Sequence, residues 1–283
     1  MQLSNLRVFK QKLNKRQRTL LVSILFSLIL CSVVLTGFLL NEDRIATNLE
    51  VRNASPSLDH LFGTDWLGRD MFSRTIMGLS LSIGVGLIGA IGSACISIIL
   101  GVVAATMGKV ADSIVTWLID LFLSVPHLVS LILIAFTFGG GFKGIVLGIA
   151  LTHWPSLARV IRSEVMQVRS LEFVQVSKKM GKSRWWIAKE HIMPHIIPQI
   201  LVGILLMFPH AILHEAAVTF LGLGLSPHEP AIGIILSESM RYLSVGMWWL
   251  AFFPGICLLI IVRMFDKVGD HLRMLIDPHN AHR

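Results

Sequence analysis

The sequence predicts an all-α membrane protein with six transmembrane helices, on the evidence of its composition, one long uncharged run and the spacing of its charges. Of its 283 residues, 54% are hydrophobic and only 15% are charged, whereas a soluble domain carries roughly 25% charged residues. Residues 19–40 form a run of 22 without a charge, and about 20 apolar residues cross a hydrocarbon core. This composition argues against a soluble enzyme.

Each predicted span is an apolar stretch between charged or glycine-rich segments. The stretch 19–40 follows a basic segment, 1–18, that resembles the start of a signal peptide. Because it is too long for a signal sequence and lacks a small-residue cleavage site, we expect an uncleaved anchor helix. The segment 41–79 then lies outside. The remaining predicted spans, with an inner loop and a tail, are 80–107, 113–137, 142–158, 197–224 and 245–263, the loop 159–196 and the tail 271–283.

The basic residues test this topology. The chain has a formal charge of +8 and a pI near 9.8, which in a soluble protein would suggest binding to nucleic acid. With the N-terminus inside, 19 of the 25 Lys and Arg residues lie in inner segments and 6 in outer segments. This distribution follows the positive-inside rule. It predicts that both termini are cytoplasmic, and it explains the charge without nucleic acid.

Two motifs resemble nucleotide-binding loops without their context. Gly84, Gly86 and Gly89 satisfy G-x-G-x-x-G inside an apolar stretch with no preceding strand, so they predict close helix packing. Gly181-Lys182-Ser183 resembles the end of a P-loop, but Val176 occupies the position of its first glycine. No catalytic pair or triad is evident. We expect a chain that is not an enzyme.

The segment between the fourth and fifth spans is too long for a simple turn. Its apolar positions and Gly181 predict a short helix, a break and a second short helix. Such a pair could dock another protein. Alternatively, it could lie on lipid headgroups, with Trp185 and Trp186 as interfacial anchors.

This segment resembles the loop of permease subunits from binding-protein-dependent ABC importers. The family pattern is E-A-A, three residues, G, nine residues, I, one residue and L-P. At these spacings the chain reads Gln175-Val176-Ser177, Gly181, His191 and Met193-Pro194. The glycine, the proline and the distance between them agree with the pattern, and the other positions depart from it. The resemblance implies ATPase-coupling residues Glu172, Gln175, Val176, Ser177, Gly181, His191 and Pro194.

The resemblance extends along nearly the whole chain and is strongest to the dipeptide, oligopeptide and nickel branch. The residues before the second span, Gly63-Thr64-Asp65-Trp66-Leu67-Gly68-Arg69-Asp70, are similar to the signature of this branch. Further similar positions are Trp154, Arg159, Arg162, Glu215, Phe220-Leu221-Gly222-Leu223-Gly224, Pro227, Gly269-Asp270, Leu272-Arg273 and Asp277-Pro278. Two departures are Ile232, where Trp is usual, and Asp266, where Asn is usual.

The resemblance implies a type I importer fold, with residues 80–270 as the permease domain and a cytoplasmic pair of coupling helices. It implies no cofactor on this chain, because ATP and Mg²⁺ belong to partner ATPase subunits. The implied partners are a homologous second permease, two ATPase subunits, an extracytoplasmic substrate-binding protein and the lipid bilayer, and not nucleic acid. The implied location is a bacterial cytoplasmic membrane.

Histidines in the fifth span resemble the nickel form of the branch. His210 and His214 are four residues apart on one helix face, a spacing at which two neutral imidazoles can share a metal such as Ni²⁺. The pair His153-Trp154 also looks like the nickel form. The alternative is that both histidines hydrogen-bond neighbouring helices and that Glu215 pairs with one of them. The resemblance therefore favours a metal path through His210 and His214.

Other polar residues in the spans are weaker candidates for a substrate path. Asp120 is a single carboxylate, better suited to packing or gating than to binding, and His127 follows a helix-breaking proline. Met207 offers a soft thioether where other ligands converge. His279 and His282 lie in the tail. The predicted path residues are His210, His214, Glu215, Met207 and Asp120.

These observations predict an ATP-driven importer permease that forms half of a translocation path for nickel or a metal chelate. Import of dipeptides or oligopeptides by the same family is the alternative. A different class, an ion-coupled secondary carrier, would need buried charge relays and an internal repeat. Neither is found in this sequence.

Overall fold

The computed structural model describes residues 15–276, whose regular structure is entirely helical apart from one isolated bridge between Thr64 and Asp70. The α-helices are α1 (Lys15–Leu39), α2 (Met71–Thr106), α3 (Lys109–Ser124), α4 (His127–Thr137), α5 (Gly141–Thr152), α6 (Trp154–Ser170), α7 (Glu172–Lys179), α8 (Arg184–Ile187), α9 (Met193–Phe220), α10 (Ile232–Leu243) and α11 (Trp249–Ile276). A π-helical turn, Ala188–Ile192, joins α8 to α9. The tail histidines His279 and His282 lie outside the described residues.

The predicted all-α membrane architecture is confirmed. Five helical runs are long and apolar enough to cross a membrane, and α3 with α4 makes a sixth if this bent pair is one span. The bend between them measures 99°. It arises at Pro126, which has no amide hydrogen to donate, while Val125 before it is held in an extended conformation. The stretch predicted as one span, 113–137, is therefore broken.

Helix α2 lies at the centre of the bundle and contacts α1, α5, α6 and α9. Glycines on different faces let these neighbours approach closely. A Cβ at Gly86 would lie 2.9 Å from Cγ1 of Ile212 in α9, and one at Gly89 would lie 2.7 Å from Cγ2 of Ile149 in α5. The third glycine of the G-x-G-x-x-G motif, Gly84, has no neighbouring atom within 4 Å. The motif thus serves helix packing at two of its three positions.

Replacing Gly89 by leucine is expected to destabilise the bundle by ~1–3 kcal/mol, because the side chain would force α5 away from α2. The measurement is the thermal unfolding midpoint of the purified chain in detergent. Gly84→Leu is the matched control, since it places the same side chain in open space on the same helix. Equal midpoints for the two variants would contradict the packing role of Gly89.

Helix α2 begins at Met71 rather than at the predicted residue 80. Its first turn is capped by Asp70, whose carboxylate accepts a 2.8 Å hydrogen bond from the amide of Ser73. The prediction placed residues 71–79 outside the span because this stretch includes a charged residue, Arg74. In the structure Arg74 is buried within the helix by an ion-pair network, so the helix includes them.

The segment before α2 is ordered around the carboxylate of Asp65, which is fully buried. One oxygen accepts from the Arg69 side chain and from Arg74, each at 2.7 Å. The other oxygen accepts from the amides of Leu67 and Arg69. Arg74 also donates to Glu238 of α10 at 2.9 Å. The Asp65 network, as we call these residues, therefore ties residues 63–74 to α10.

Two glycines in this segment adopt conformations that other residues rarely occupy. Gly63 has φ +71° and Gly68 has φ +73°. A Cβ at Gly63 would also lie 2.6 Å from the carbonyl oxygen of Ala54. The signature Gly63–Asp70 thus encodes a tight turn in which glycines bend the backbone around the buried carboxylate.

The predicted fourth span, 142–158, consists of two helices, α5 and α6, that meet at His153. Helix α6 then continues to Ser170, well into the segment predicted as an inner loop. Pro155 near its start fits the first turn of a helix, where an amide hydrogen has no partner.

The fifth span also extends beyond its predicted start at residue 197. The chain is helical from Arg184 to Phe220, through α8, the π-helical turn and α9. The second of the two predicted short helices is therefore continuous with the span. The last helix, α11, begins at Trp249 instead of residue 245 and runs to Ile276 instead of 263.

Helix α2 separates two ends of the molecule. Its start carries the Asp65 network. Its end, at Thr106, lines a cavity with Lys178 of α7 and Ile187 of α8. The 36 residues of α2 correspond to roughly 54 Å at about 1.5 Å per residue. We call the first end the Asp65 end and the second, formed by α7 and α8, the Gly181 end.

Candidate functional site

A cavity of about 460 Å³ lies among α3, α4, the α5–α6 junction and α9. Most of its wall is apolar, and its polar lining is dominated by histidine. The histidines are His127, His153, His210 and His214, and Met207 lies beside them. Three of the residues predicted for a substrate path, His210, His214 and Met207, therefore line this cavity. Two histidines outside that predicted set, His127 and His153, line it as well.

Three of the four histidines converge. One ring nitrogen from each of His127, His153 and His214 lies within 4.8 Å of the other two. Nε2 of His153 is 3.1 Å from Nδ1 of His214, a hydrogen-bond distance. The ring of His127 stacks on that of His214 with centroids 4.4 Å apart. We refer to His127, His153 and His214 as the histidine cluster.

Breaks in the helices bring the histidine cluster together. His127 is the first residue of α4, directly after the Pro126 bend, and His153 lies where α5 gives way to α6. His214 projects from α9. Irregular backbone at membrane depth is tolerated where it is buried in protein or lines a cavity, and here two breaks line the same one.

The structure gives the two predicted histidines, His210 and His214, different surroundings. His214 joins the histidine cluster, whereas His210 is exposed at the cavity wall and is not among the three converging rings. Reasoning from helical spacing missed His127 and His153. A usable signal was present, because His127 follows Pro126 and His153 precedes Trp154-Pro155, so both sit beside a helix-disrupting residue.

Glu215 points away from the histidines. It is fully buried, and its Oε1 accepts a 2.8 Å hydrogen bond from the hydroxyl of Thr219. Among the described residues it makes no ion pair with a histidine. Neighbouring positions on a helix face about 100° apart, so Glu215 and His214 face different partners.

Asp120 also lies away from the cavity. Its carboxylate pairs with Arg159 of α6 at 2.9 Å, and both side chains are exposed, at 63% and 56%. A second pair, Asp112 with Arg162, joins the same two helices in bidentate form. These two pairs tie α3 to α6, so Asp120 has a connecting role in the structure.

At the Gly181 end, α7 closes with a turn that depends on glycine. Gly181 has φ +80°. Its amide donates to the carbonyl of Lys178, and the amide of Lys182 donates to the carbonyl of Ser177. This is the Schellman arrangement, in which glycine ends a helix. Ser183 then begins α8, because its hydroxyl accepts from the amide of Trp186.

The other predicted coupling residues surround this turn. The hydroxyl of Ser177 in α7 lies 2.9 Å from Nε2 of His191 in the π-helical turn, a hydrogen-bond distance. This contact connects the two arms of the Gly181 end, by which we mean α7 on one side and α8 with the π-helical turn on the other. Gln175 donates to the carbonyl of Arg169 at 2.6 Å. Glu172 starts α7, Val176 is exposed, and Pro194 lies in the first turn of α9.

The arms present an apolar outer surface and bury an apolar inner one. Val174, Ile187 and Ile192 pack into a core with α6 and α9. On the outside, Met180 is 73% exposed and Trp185 is 79% exposed. An exposed apolar patch of this kind is typical of a protein or membrane contact.

Comparison with known proteins identifies the family. Residues 97–274 match the family described as binding-protein-dependent transport system inner membrane component. The chain is 33% identical over 267 residues to the dipeptide transport system permease protein DppC of Bacillus subtilis (strain 168), covering 94% of this chain and 83% of that protein. It is 32% identical over 260 residues to the probable D,D-dipeptide transport system permease protein DdpC of Escherichia coli (strain K12), covering 92% and 87%.

A solved structure shares the fold. The chain resembles a subunit of the MetNI methionine ABC transporter in inward facing conformations, with a TM-score of 0.60 and 16% identity, over 73% of this chain and 98% of that one. Family members work with a second permease, ATPase subunits and a substrate-binding protein, and ATP hydrolysis lies in the partners. The chain belongs to the family of transmembrane permease subunits of binding-protein-dependent ABC importers.

Proposed function

We propose that this chain forms half of the path through which an ATP-driven importer carries dipeptides or oligopeptides. The observation that carries the proposal is the similarity, over more than nine-tenths of the chain, to permeases named for dipeptide transport. The expected nickel specificity has no support from the names of these relatives, so the peptide alternative is now the first candidate. An ion-coupled secondary carrier is inconsistent with the family.

We further propose that the Gly181 end faces the cytoplasm and docks on the ATPase subunits. Three observations support this orientation: the exposed Met180 and Trp185, the glycine turn between two short helical arms, and the excess of basic residues in the segments on this side. The Asp65 end then faces the substrate-binding protein. We propose that ATP and Mg²⁺ bind on the ATPase subunits rather than on this chain.

A metal ion or metal chelate is the second candidate cargo. One observation favours it, the four histidines that line the cavity. Imidazole nitrogen is a common ligand of nickel, zinc and copper, and histidine within a membrane span is uncommon enough to suggest a function.

Uptake in cells separates the two cargoes. Cells with and without this gene are supplied with a labelled dipeptide, with free nickel and with chelated nickel. We expect loss of dipeptide uptake in the deletion and recovery when the gene is restored. Unchanged dipeptide uptake together with lost nickel uptake would contradict the peptide proposal and favour the metal cargo.

A further inference from the structure

We propose that the histidine cluster, His127, His153 and His214, binds one divalent transition-metal ion of the nickel, cobalt and zinc class. The inference begins with the convergence of three ring nitrogens from three separate helical segments within 4.8 Å. Two imidazole nitrogens that are each ~2.1 Å from one metal ion lie about 3.0–3.4 Å apart. The 3.1 Å between His153 and His214 already falls in this range.

His127 provides the second, independent observation. Both of its ring nitrogens are buried, and neither makes a hydrogen bond of normal geometry among the described residues, the backbone of Thr152 being the polar group that approaches the ring. A buried polar atom without a partner costs ~1–3 kcal/mol. The ring of His127 nevertheless lies 4.4 Å, centroid to centroid, from the rings of both His153 and His214. A metal ion among the three rings would provide the missing partner.

The ligand chemistry selects the class of metal. The described residues place only imidazoles at the cluster, since Asp120 pairs with Arg159 and Glu215 bonds Thr219. Ca²⁺ and Mg²⁺ prefer oxygen ligands, whereas nickel, cobalt and zinc accept neutral imidazole. Three histidines also leave coordination positions open, as in sites where metal meets a further ligand.

The position of the cluster suggests a temporary rather than a structural site. It borders the 460 Å³ cavity, and the exposed His210 lies on the same wall. Three neutral ligands leave the ion's charge uncompensated, so binding is weaker than in a site with carboxylates or thiolates. A path requires binding that is favourable enough for the ion to arrive and weak enough for it to leave. This transport role rests on the second candidate cargo of the proposed function, a metal ion or metal chelate, whereas metal binding itself does not.

The test is metal binding by the purified complex of this chain with its partner subunits in detergent. Co²⁺ is the probe, because its visible absorption reports nitrogen coordination, and Ni²⁺ displaces it in competition. We expect one Co²⁺ for each copy of this chain, with no competition from Mg²⁺. The triple variant His127→Gln, His153→Gln and His214→Gln should lose the absorption, and each single variant should bind at least ~10-fold more weakly.

Two controls keep the result specific. His195→Gln removes an exposed histidine outside the cluster and should bind Co²⁺ as the wild type does. The ATPase activity and thermal unfolding of the triple variant show whether the complex remains assembled. Unchanged Co²⁺ binding in the triple variant, or loss of binding in His195→Gln, would overturn the site. Failure of dipeptide uptake in the wild type would overturn the peptide cargo and leave the metal result standing.

Discussion

Replacing Gly181 by aspartate is expected to reduce import to the level of cells that lack the gene, while the chain still inserts in the membrane. Gly181 has φ +80°, and a Cβ there would meet nothing within 4 Å in this chain. Aspartate tolerates the left-handed region better than most residues, so the turn between α7 and α8 should survive. The added carboxylate would project outward, where the ATPase subunits are proposed to dock.

The measurements are cargo uptake, recovery of the chain in the membrane, and co-purification of the ATPase subunits. Gly246→Asp is the matched control. Gly246 has φ +90° and equally open surroundings, but it lies between α10 and α11 at the Asp65 end. Normal import by the Gly181 variant, or equal loss of ATPase co-purification in both variants, would remove the docking assignment.

Replacing Arg74 by methionine is expected to cost ~3–5 kcal/mol of folding free energy, because it leaves a buried charge with too few partners. The carboxylate of Asp65 is fully buried, and Arg74 supplies one of the two guanidinium groups that contact it. The same change also removes the 2.9 Å ion pair between Arg74 and Glu238. Glu238 then retains its longer contact, 3.5 Å, to Arg69.

The thermal unfolding midpoint of the purified complex and the yield of inserted chain measure this cost. Arg159→Met is the matched control, because it also removes one arginine from an ion pair. In that pair both side chains are more than half exposed, so little change in stability is expected. A midpoint for the Arg74 variant equal to that of the control would show that the Asp65 network is not a stabilising element.

Five of the six predicted spans correspond to single apolar helical runs, and the sixth corresponds to the bent pair of α3 and α4. They could be predicted because apolar runs and charges are properties of single segments. The predicted helix ends were less accurate, for reasons that only packing reveals. Arg74 lies inside α2 because Asp65 and Glu238 accept its charge. The arm after Gly181 is continuous with α9 because the backbone passes through a π-helical turn instead of ending at Pro194.

The histidine cluster shows the limit of reasoning from one helix. A spacing of four residues predicted the pair His210 and His214, which does share one cavity wall. The rings that meet His214 come from positions 127 and 153, and no local pattern relates these three positions. Their meeting depends on the direction taken by the chain after the Pro126 bend, which is decided by contacts between α4 and α5.

The continuity of α8 and α9 makes this stretch a mechanical lever. Its 37 residues would measure roughly 55 Å at about 1.5 Å per residue. Trp185 lies near one end of the lever and His214 near the other. A tilt of ~10° about the docked end would carry the His214 end sideways by about 8 Å, given the same rise per residue. Pro198 and Pro209, each of which removes one helical hydrogen bond, mark where the lever can flex. If the Gly181 end docks as proposed, this helical run converts a small rotation there into a larger displacement at His214, and the two prolines set how much of the rotation is transmitted.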